Sequence, residues 1–395
     1  MHVMPCDRAS DREDRFALAE KGPARLPRQS HLKARVMALT RLSLRDFRNH
    51  AATRLDGMAT FNVLVGENGA GKTNVLEAIS LFSPGRGMRR AHPADMASNK
   101  GAGDFAVAAE LEDGAVQLNT ATTPATPGRR TVRINGAETP ATRLAEWLAM
   151  TWLTPAMDRL FAEGATARRR FLDRLVLAGE PGHARIATRY EGALRERNRL
   201  LGEADEPDPV WLDALETQMA ETGAQLAASR RALVERLNTA LAAQDDGPFA
   251  RPILAYNGET PVDASAFAAA LRNGRRRDRA AGRTLTGPHR DDLDVVMAAK
   301  NAPAAHCSTG EQKALLISIV LAHAALPDAG GERPRLLLLD EIAAHLDPLR
   351  RSALYERLAA SGAQVWMTGT EPSPFADLPA PAAFWRVDEG KVERI

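Results

Sequence analysis

The sequence predicts an α/β fold: a head built on a mixed sheet with an antiparallel meander, interrupted by an inserted helical, short coiled-coil-like arm. Three observations predict it. An apolar stretch, residues 60–65 (TFNVLV), runs straight into a glycine-rich loop, Gly66-Glu67-Asn68-Gly69-Ala70-Gly71-Lys72-Thr73. A second apolar run, residues 336–339, ends in the acidic pair Asp340-Glu341 about 265 residues further on. Between the two, from about Thr166, the texture changes to helix. A strand feeding a glycine loop and a strand ending in acid belong side by side in a compact fold, so a sizeable segment must loop out between them.

Each element follows from its pattern. Residues 1–36 carry Pro, Arg, Asp and Ser with little apolar periodicity and are expected to be disordered. One reading makes Met37 the true start and the first 36 residues an over-extended frame. Residues 37–165 are expected to form the first half of the head. Leucines alternate with polar residues over 39–44, predicting a strand. Residues 60–65 read as a buried strand and 72–82 as a helix. Short alternating stretches over 104–134, broken by Gly and Pro, predict a small antiparallel meander.

Residues 166–283 are expected to form the arm. Ile186, Tyr190 and Leu194 are spaced by four. After the break at Glu206-Pro207-Asp208-Pro209, Leu212, Met219, Leu226 and Leu233 recur every seven residues, with Leu215 and Leu237 widening the stripe. About 30 residues at ~1.5 Å each make an arm of roughly 45 Å. Two helices of an ordinary bundle would leave the same pattern. Residues 284–395 return to strand and loop: Cys307-Ser308-Thr309-Gly310-Glu311-Gln312-Lys313, an apolar helix, the strand 336–339, a helix over 348–360 and a last core strand over 364–367.

Composition narrows the class. Of 395 residues, 44% are hydrophobic and 26% charged, ordinary for a soluble globular chain. The longest apolar run, residues 314–326, is too short to span a bilayer, so no membrane role is expected. There is no signal-peptide pattern, and two cysteines, Cys6 and Cys307, supply neither a disulfide framework nor a zinc site. A cytoplasmic location is expected. Residues 1–36 hold 8 of the 52 Lys/Arg and 5 of the 50 Asp/Glu, leaving the body 44 basic and 45 acidic side chains. Any nucleic-acid surface must therefore be a local patch.

The glycine loop matches G-x-x-x-x-G-K-[ST] with a strand before it and a helix after it. Its backbone N–H groups and the helix N-terminus suit phosphate. In that setting Lys72 is expected on the β- and γ-phosphates of ATP, with Thr73 and Asp340 holding Mg²⁺ and Glu341 polarising the attacking water. Ser308 opens a helix and could simply cap it.

With the loop, the acidic pair, Ser308-Thr309-Gly310-Glu311-Gln312 and Ala344-His345-Leu346-Asp347 in this order, the set resembles the ATP-binding cassette ATPases. The predicted head is then a P-loop head of that type. In that family the Ser/Gly segment of one subunit meets the γ-phosphate held by the other. The resemblance therefore implies an ATP-dependent homodimer with Ser308, Gly310, Glu311, Gln312 and Asp347 at the nucleotide.

Within that family, residues 39–50 (LTRLSLRDFRNH), 66–73, 168–172 (RRRFL) with Asp173, 282–293 (GRTLTGPHRDDL), 308–313 and 338–347 resemble the RecF family of bacterial recombination proteins. The resemblance covers essentially 37–395. It implies a weak, DNA-stimulated ATPase that binds single-stranded gaps and their duplex junctions. It further implies action with RecR and RecO in helping RecA load, and roles in DNA replication and the SOS response.

Two positions depart from relatives of the cassette. Where transporter cassettes keep a histidine after the last strand, this chain reads Thr368-Gly369-Thr370-Glu371. A Mg²⁺-sensing glutamine has no clear counterpart, the candidate region being 153–158 (LTPAMD). Slow hydrolysis, suited to a switch, would follow. Three basic stretches are candidate DNA-backbone contacts: Arg168-Arg169-Arg170, Arg275-Arg276-Arg277 with Arg279, and Arg86, Arg89 and Arg90. His289 and Arg290 are read as either structural or functional. The alternative function, ATPase subunit of a transporter, is disfavoured by the insert, which puts Lys72 about 236 residues before Ser308. The arm is too short for a long-coil chromosome-organising protein, and a nuclease-fused relative is not expected, since no acidic metal-binding pattern is read after the last strand.

Overall fold

The computed structural model describes residues 38–395 except 204, 206, 245–246, 328–332, 344–345 and 380. The expectations for residues 1–36 and Met37, and for Ala344-His345, lie outside the described residues.

The chain opens with the hairpin β1 (Arg41–Phe47) and β2 (His50–Asp56), followed by β3 (Phe61–Val65), the glycine loop and α1 (Lys72–Ser80). The expected meander is β4 (Ala106–Leu111), β5 (Val116–Thr123) and β6 (Thr126–Ile134), with a short β7 (Ala137–Glu138). These strands make one antiparallel sheet ordered β2-β1-β4-β5-β6-β7. The period of two sets its inner face, so that Leu42, Leu44, Val107 and Leu118 are buried. β8 (Ala149–Leu153) then leaves this sheet for the second one.

The helical segment begins with α2 (Ala165–Gly179), α3 (His183–Leu201) and α4 (Pro209–Ala242). Asp208 caps α4, accepting from Val210 N at 2.8 Å, and Pro209 takes the first helical position. The heptad residues Leu212, Met219, Leu226 and Leu233 are all buried. They do not meet a single partner helix along one seam, however. Met219 and Leu226 pack with Tyr190 and with Phe267 and Leu271 of a third helix, α5 (Ala264–Ala280). Leu233, Leu237 and Leu241 join the core of the parallel sheet. Gly223 permits the close three-helix contact, since a Cβ there would lie 2.6 Å from the Phe267 ring.

At the heart of α3, α4 and α5 lies Arg197, 0% exposed. It donates to Glu216 at 3.0 Å, Asp278 at 2.8 Å, Thr284 Oγ1 at 2.7 Å and Leu271 O at 2.9 Å. A buried charge with this many partners ties helices together at specific positions. The segment also contains a strand that the helical pattern hides: β9 (Pro252–Asn257) pairs with β10 (Asp292–Met297), and β11 (Ala302–Pro303) completes a three-stranded antiparallel sheet.

The chain finishes with α6 (Thr309–Ala325), β12 (Arg335–Leu339), α7 (Pro348–Ala360), β13 (Gln364–Gly369), β14 (Ala382–Asp388) and β15 (Lys391–Arg394). α6 is apolar all round because it is buried over residues 314–322, and no helix among the described residues is long and apolar enough to cross a membrane.

The second sheet is ordered β15-β14-β3-β13-β12-β8, parallel from β14 to β8 with β15 antiparallel at the edge. Its strands are buried on both faces. Leu336 and Leu338 point into a core shared with α1 and the antiparallel sheet, while Leu337 and Leu339 point into one shared with α6. β13 lies between β3 and β12, so the glycine loop, the end of β13 and the acidic pair emerge along one edge. The strand over 364–367 is therefore not the last core strand. β14 and β15 follow it, with Ala383, Trp385 and Val387 buried in alternation behind small, Pro-flanked residues.

Candidate functional site

The glycine loop closes on itself and on its neighbours. Gly71 caps α1 at φ 118°, a left-handed conformation, and a Cβ there would lie 2.7 Å from Asn49 Oδ1 and 2.9 Å from His50 Nε2. Only glycine meets both demands. Lys72 is 4% exposed, and its Nζ donates to Gly66 O at 2.7 Å and Glu67 O at 2.8 Å. Burial lowers its pKa, while Glu341 and Asp340 oppose that shift. The ammonium is thus held inside the loop that a polyphosphate would enter.

Across 267 residues of sequence, Thr73 Oγ1 donates to Asp340 Oδ1 at 2.9 Å. Asp340 N donates to Leu153 O at 2.9 Å, which fixes the strand end against β8. Burial raises the pKa of the Asp340 carboxyl, Thr368 and Thr73 lower it by hydrogen bonding, and Glu341 raises it again. A cation beside Asp340 would relieve that cost. The donors are hard oxygens from one hydroxyl and one carboxylate, which suits Mg²⁺ arriving with phosphate and water ligands. No cluster of three or more His, Cys, Asp or Glu that could hold a metal occurs among the described residues.

A cavity of about 160 Å³ lies over the loop, lined by Asn68, Gly69, Gly71, Lys72, Thr73, Asn74, Arg89 and Glu341. A groove of about 860 Å³ adjoins it at Gly69, walled by Arg48, Asn49, Asn99, Lys100, Glu389 and Gly390 among others. Sequence reasoning missed the residues that brace this wall. Asn49 Nδ2 and Gly390 N both donate to Ala70 O, at 2.8 and 2.9 Å. The buried His50 ring lies between two carbonyls, Nε2 3.1 Å from Gly71 O and Nδ1 2.8 Å from Gly390 O; burial lowers its pKa, and the neutral ring donates to one of the two. Gly390 is contributed by the β14–β15 turn, about 320 residues from the loop, so no local signal announces it. Arg89, read as a DNA-contact candidate, instead donates to Asn74 at 2.7 Å and pairs with buried Glu77 at 3.1 Å, beside the cavity.

Ser308, Gly310, Glu311, Gln312 and Asp347 lie elsewhere. Ser308 and Glu311 form a reciprocal capping box at the start of α6, and Glu311, paired with Lys300, is held down at about 2. Gln312 Nε2 donates to Cys307 O at 2.9 Å, and its Oε1 has no partner among the described residues. Asp347 caps α7, accepting from Arg350 N at 2.9 Å. Among the described residues, no hydrogen bond or ion pair of these five reaches the glycine loop or the acidic pair. In the candidate region 153–158, Asp158 pairs with Lys313 of α6 at 3.6 Å.

The 168–173 and 287–292 blocks are bound to each other. Arg168 grips Asp292 through two hydrogen bonds of 2.9 and 2.7 Å, and Arg169 donates to Asp291 O at 2.9 Å. Arg230 of α4 grips Asp173 at 2.7 and 2.8 Å and donates to Pro288 O at 2.6 Å. Burial opposes ionisation of Asp173, yet His183 and Arg230 hold its pKa down at about 2. His289 Nε2 faces Thr284 O at 3.0 Å, a pure acceptor, so Nε2 carries the proton and Nδ1 accepts from the Tyr190 hydroxyl at 2.7 Å. These partners give His289 a structural role, joining the loop to α3. Arg275 is likewise committed, pairing with Glu216 and Asp213 at 2.6 Å each.

Comparison with known proteins places this geometry. The family model of the RecF/RecN/SMC N terminal domain matches residues 38–382. The chain is 48% identical over 381 residues to the DNA replication and repair protein RecF of Mesorhizobium japonicum, covering 93% of this chain and 98% of that one. It is 46% identical to the protein of the same name in Brucella suis, covering 91% and 97%. Among solved structures it resembles a recombination mediator protein RecF with ATP in the RecFOR pathway, at TM-score 0.78 and 21% identity, covering 93% of this chain and 100% of that one. It also resembles an Smc head domain from Pyrococcus furiosus, at TM-score 0.51 and 15% identity, covering 91% and 96%.

Proposed function

The chain belongs to the RecF family of DNA replication and repair proteins, within the RecF/RecN/SMC N-terminal domain family, and from that premise we propose that it is an ATP-controlled DNA-repair protein whose nucleotide site is completed by a second copy. The observation that carries this reading is an asymmetry. The Thr73–Asp340 hydrogen bond of 2.9 Å joins the two nucleotide-holding pieces within one chain, whereas the Ser308 turn is exposed and engaged only with its own surroundings.

In this reading the loop from Gly66 to Thr73, with Glu67, Asn68, Gly69, Ala70 and Gly71, wraps the phosphates of ATP through backbone N–H groups, and Lys72 neutralises them. Thr73 and Asp340 would hold Mg²⁺, which would supply charge neutralisation for the polyphosphate. Glu341, at the cavity wall, accepts a proton from the attacking water. Ser308, Gly310, Glu311 and Gln312 of one copy, with Asp347 nearby, close on the γ-phosphate held by the other. ATP then favours the dimer because it binds the dimer more tightly than the monomer.

Sedimentation with and without ATP and gapped DNA tests the whole reading. Ser308→Arg places a long side chain at the turn that must meet the second copy. Its ATP-dependent dimer should be lost while ATP still binds the monomer, and normal dimerisation would overturn the two-copy site.

The relatives' names support carrying DNA repair and replication to this chain. We extend the reading to single-stranded gaps and their junctions, to action with RecR and RecO in loading RecA, to SOS induction and to the cytoplasm. No observation favours the transporter-subunit alternative. The DNA path we favour is the surface of Arg86, Arg90 and Arg170, all exposed and without an ion pair or hydrogen-bonding partner among the described residues. Desolvation first, then repulsion from Arg170 and Arg86, lowers the Arg90 pKa, with Glu191 partly offsetting them, so distant sequence stretches converge here. An anionic backbone would relieve that repulsion. Replacing Arg90 and Arg170 by Glu should weaken binding to all DNA sequences alike and reduce the salt slope by about 1 for each phosphate no longer neutralised. Titrations at several salt concentrations would read this; an unchanged slope moves the path elsewhere.

A further inference from the structure

Thr368 is 0% exposed near the end of β13, between β3 and β12. Its hydroxyl makes two bonds that point opposite ways. Oγ1 donates to Asp340 Oδ1 at 2.8 Å, and it accepts from Glu341 N at 2.9 Å. One proton and one lone pair therefore link this side chain to both acidic residues. Glu341 sits at φ 53°, a left-handed conformation that disfavours any side chain beyond glycine and persists only where neighbours hold it. The Thr368 hydroxyl holds the N–H of that residue. On Asp340, Thr368 and Thr73 both bond Oδ1, while no hydrogen bond to Oδ2 is described, which leaves that oxygen for a cation.

We propose that Thr368 is a positioning residue for ATP hydrolysis, its hydroxyl orienting the Asp340 carboxylate and locking the strained Glu341 backbone so that the Glu341 side chain faces the cavity over Lys72. This rests on the reading of the chain as an ATPase. The β-branched methyl suits a central strand buried on both faces, so packing needs the shape of threonine or valine, and positioning needs the hydroxyl. The two demands separate experimentally.

The test compares wild type, Thr368→Val, Thr368→Ser and Lys72→Ala for ATP affinity, kcat, Mg²⁺ dependence and Tm. Valine keeps the shape and removes the hydroxyl. It should bind ATP within about twofold of wild type, turn over ~10–100-fold more slowly and need more Mg²⁺ for half-maximal rate, as small misplacements of catalytic groups do. Serine restores the hydroxyl and should return kcat and the Mg²⁺ requirement to near wild type. A role confined to packing predicts the reverse order, with valine active and serine impaired, and that result overturns the proposal. Should Thr368→Val fail to fold, Thr368→Cys keeps similar volume with a weak donor and carries the same expectation, wild-type kcat again overturning it. Wild type hydrolysing no faster than Lys72→Ala would instead bring down the ATPase reading and this inference with it.

Discussion

Lys72→Ala is expected to abolish ATP-dependent dimerisation. The Lys72 ammonium is already placed within the loop, 2.7 Å from Gly66 O and 2.8 Å from Glu67 O, so binding needs only a short swing towards phosphate. Charge-assisted hydrogen bonds contribute about 1.5–3 kcal/mol each, so losing two to the β- and γ-phosphates weakens binding by roughly 10²–10⁴-fold. The loss does not stop there. Asp340 and Glu341 both act on Lys72 electrostatically, and without the ammonium their negative charge would face incoming polyphosphate uncompensated. Since ATP is the ligand that favours the dimer, the linked equilibrium falls with the affinity. Light scattering with saturating ATP reads the result, and circular dichroism checks that the variant is folded. An unchanged dimer would refute the role of this loop.

How much of this was legible follows from the range of the contacts involved. The strand into the glycine loop, the leucine strand ending at Asp340 and the helix start at Ser308 are local patterns, so their residues could be read in order along the chain. α7 and β13 start where their Pro, Gly and apolar signals put them, at Pro348 and Gln364. What escaped reading depends on distant partners. β8 carries only five residues, and its identity as a sheet neighbour of β12 appears only from their parallel register. β9 hides in a helical stretch because its pairing partner, β10, lies beyond α5. The heptad in α4 was visible, but heptad spacing does not say how many helices it faces. Phe267 and Leu271 made that a three-helix contact.

Around the site, Asn49 and His50 end a block that carries the family resemblance and Thr368 opens the departure at residues 368–371, but neither they nor Gly390 show a place at the loop from sequence alone. Their partners Ala70, Gly71, Asp340 and Glu341 identify them only once the chain is folded. The arginines show the same limit in reverse. Arg168, Arg170, Arg89 and Arg90 look equivalent as charge runs, yet Arg168 and Arg89 are taken by Asp292 and Glu77 while Arg170 and Arg90 have no ion pair among the described residues. A count of basic residues could not separate them, because the carboxylates that claim two of the four are contributed by other elements.

Glu341→Gln should bind ATP, hydrolyse it ~10²–10⁴-fold more slowly, the contribution typical of a positioned general base, and accumulate as dimer. Three features make binding survive. Glutamine keeps the length of the side chain, so the cavity wall formed with Lys72, Thr73 and Arg89 is preserved. The backbone N–H that Thr368 accepts at 2.9 Å is untouched, so the φ of 53° remains supported. The charge of Glu341 raises the pKa of Asp340, so removing it makes Asp340 easier to ionise and leaves the Mg²⁺ ligand at least as good as before. What the amide cannot do is take a proton from water. With closure intact and the step that reopens the site slowed, the dimer should persist in sedimentation velocity long after wild type with ATP has returned to monomer. Phosphate release at the wild-type rate would remove Glu341 from the chemistry. Because Lys72→Ala empties the site and Glu341→Gln traps it full, the pair should move the same monomer–dimer equilibrium in opposite directions, which no general loss of folding can imitate.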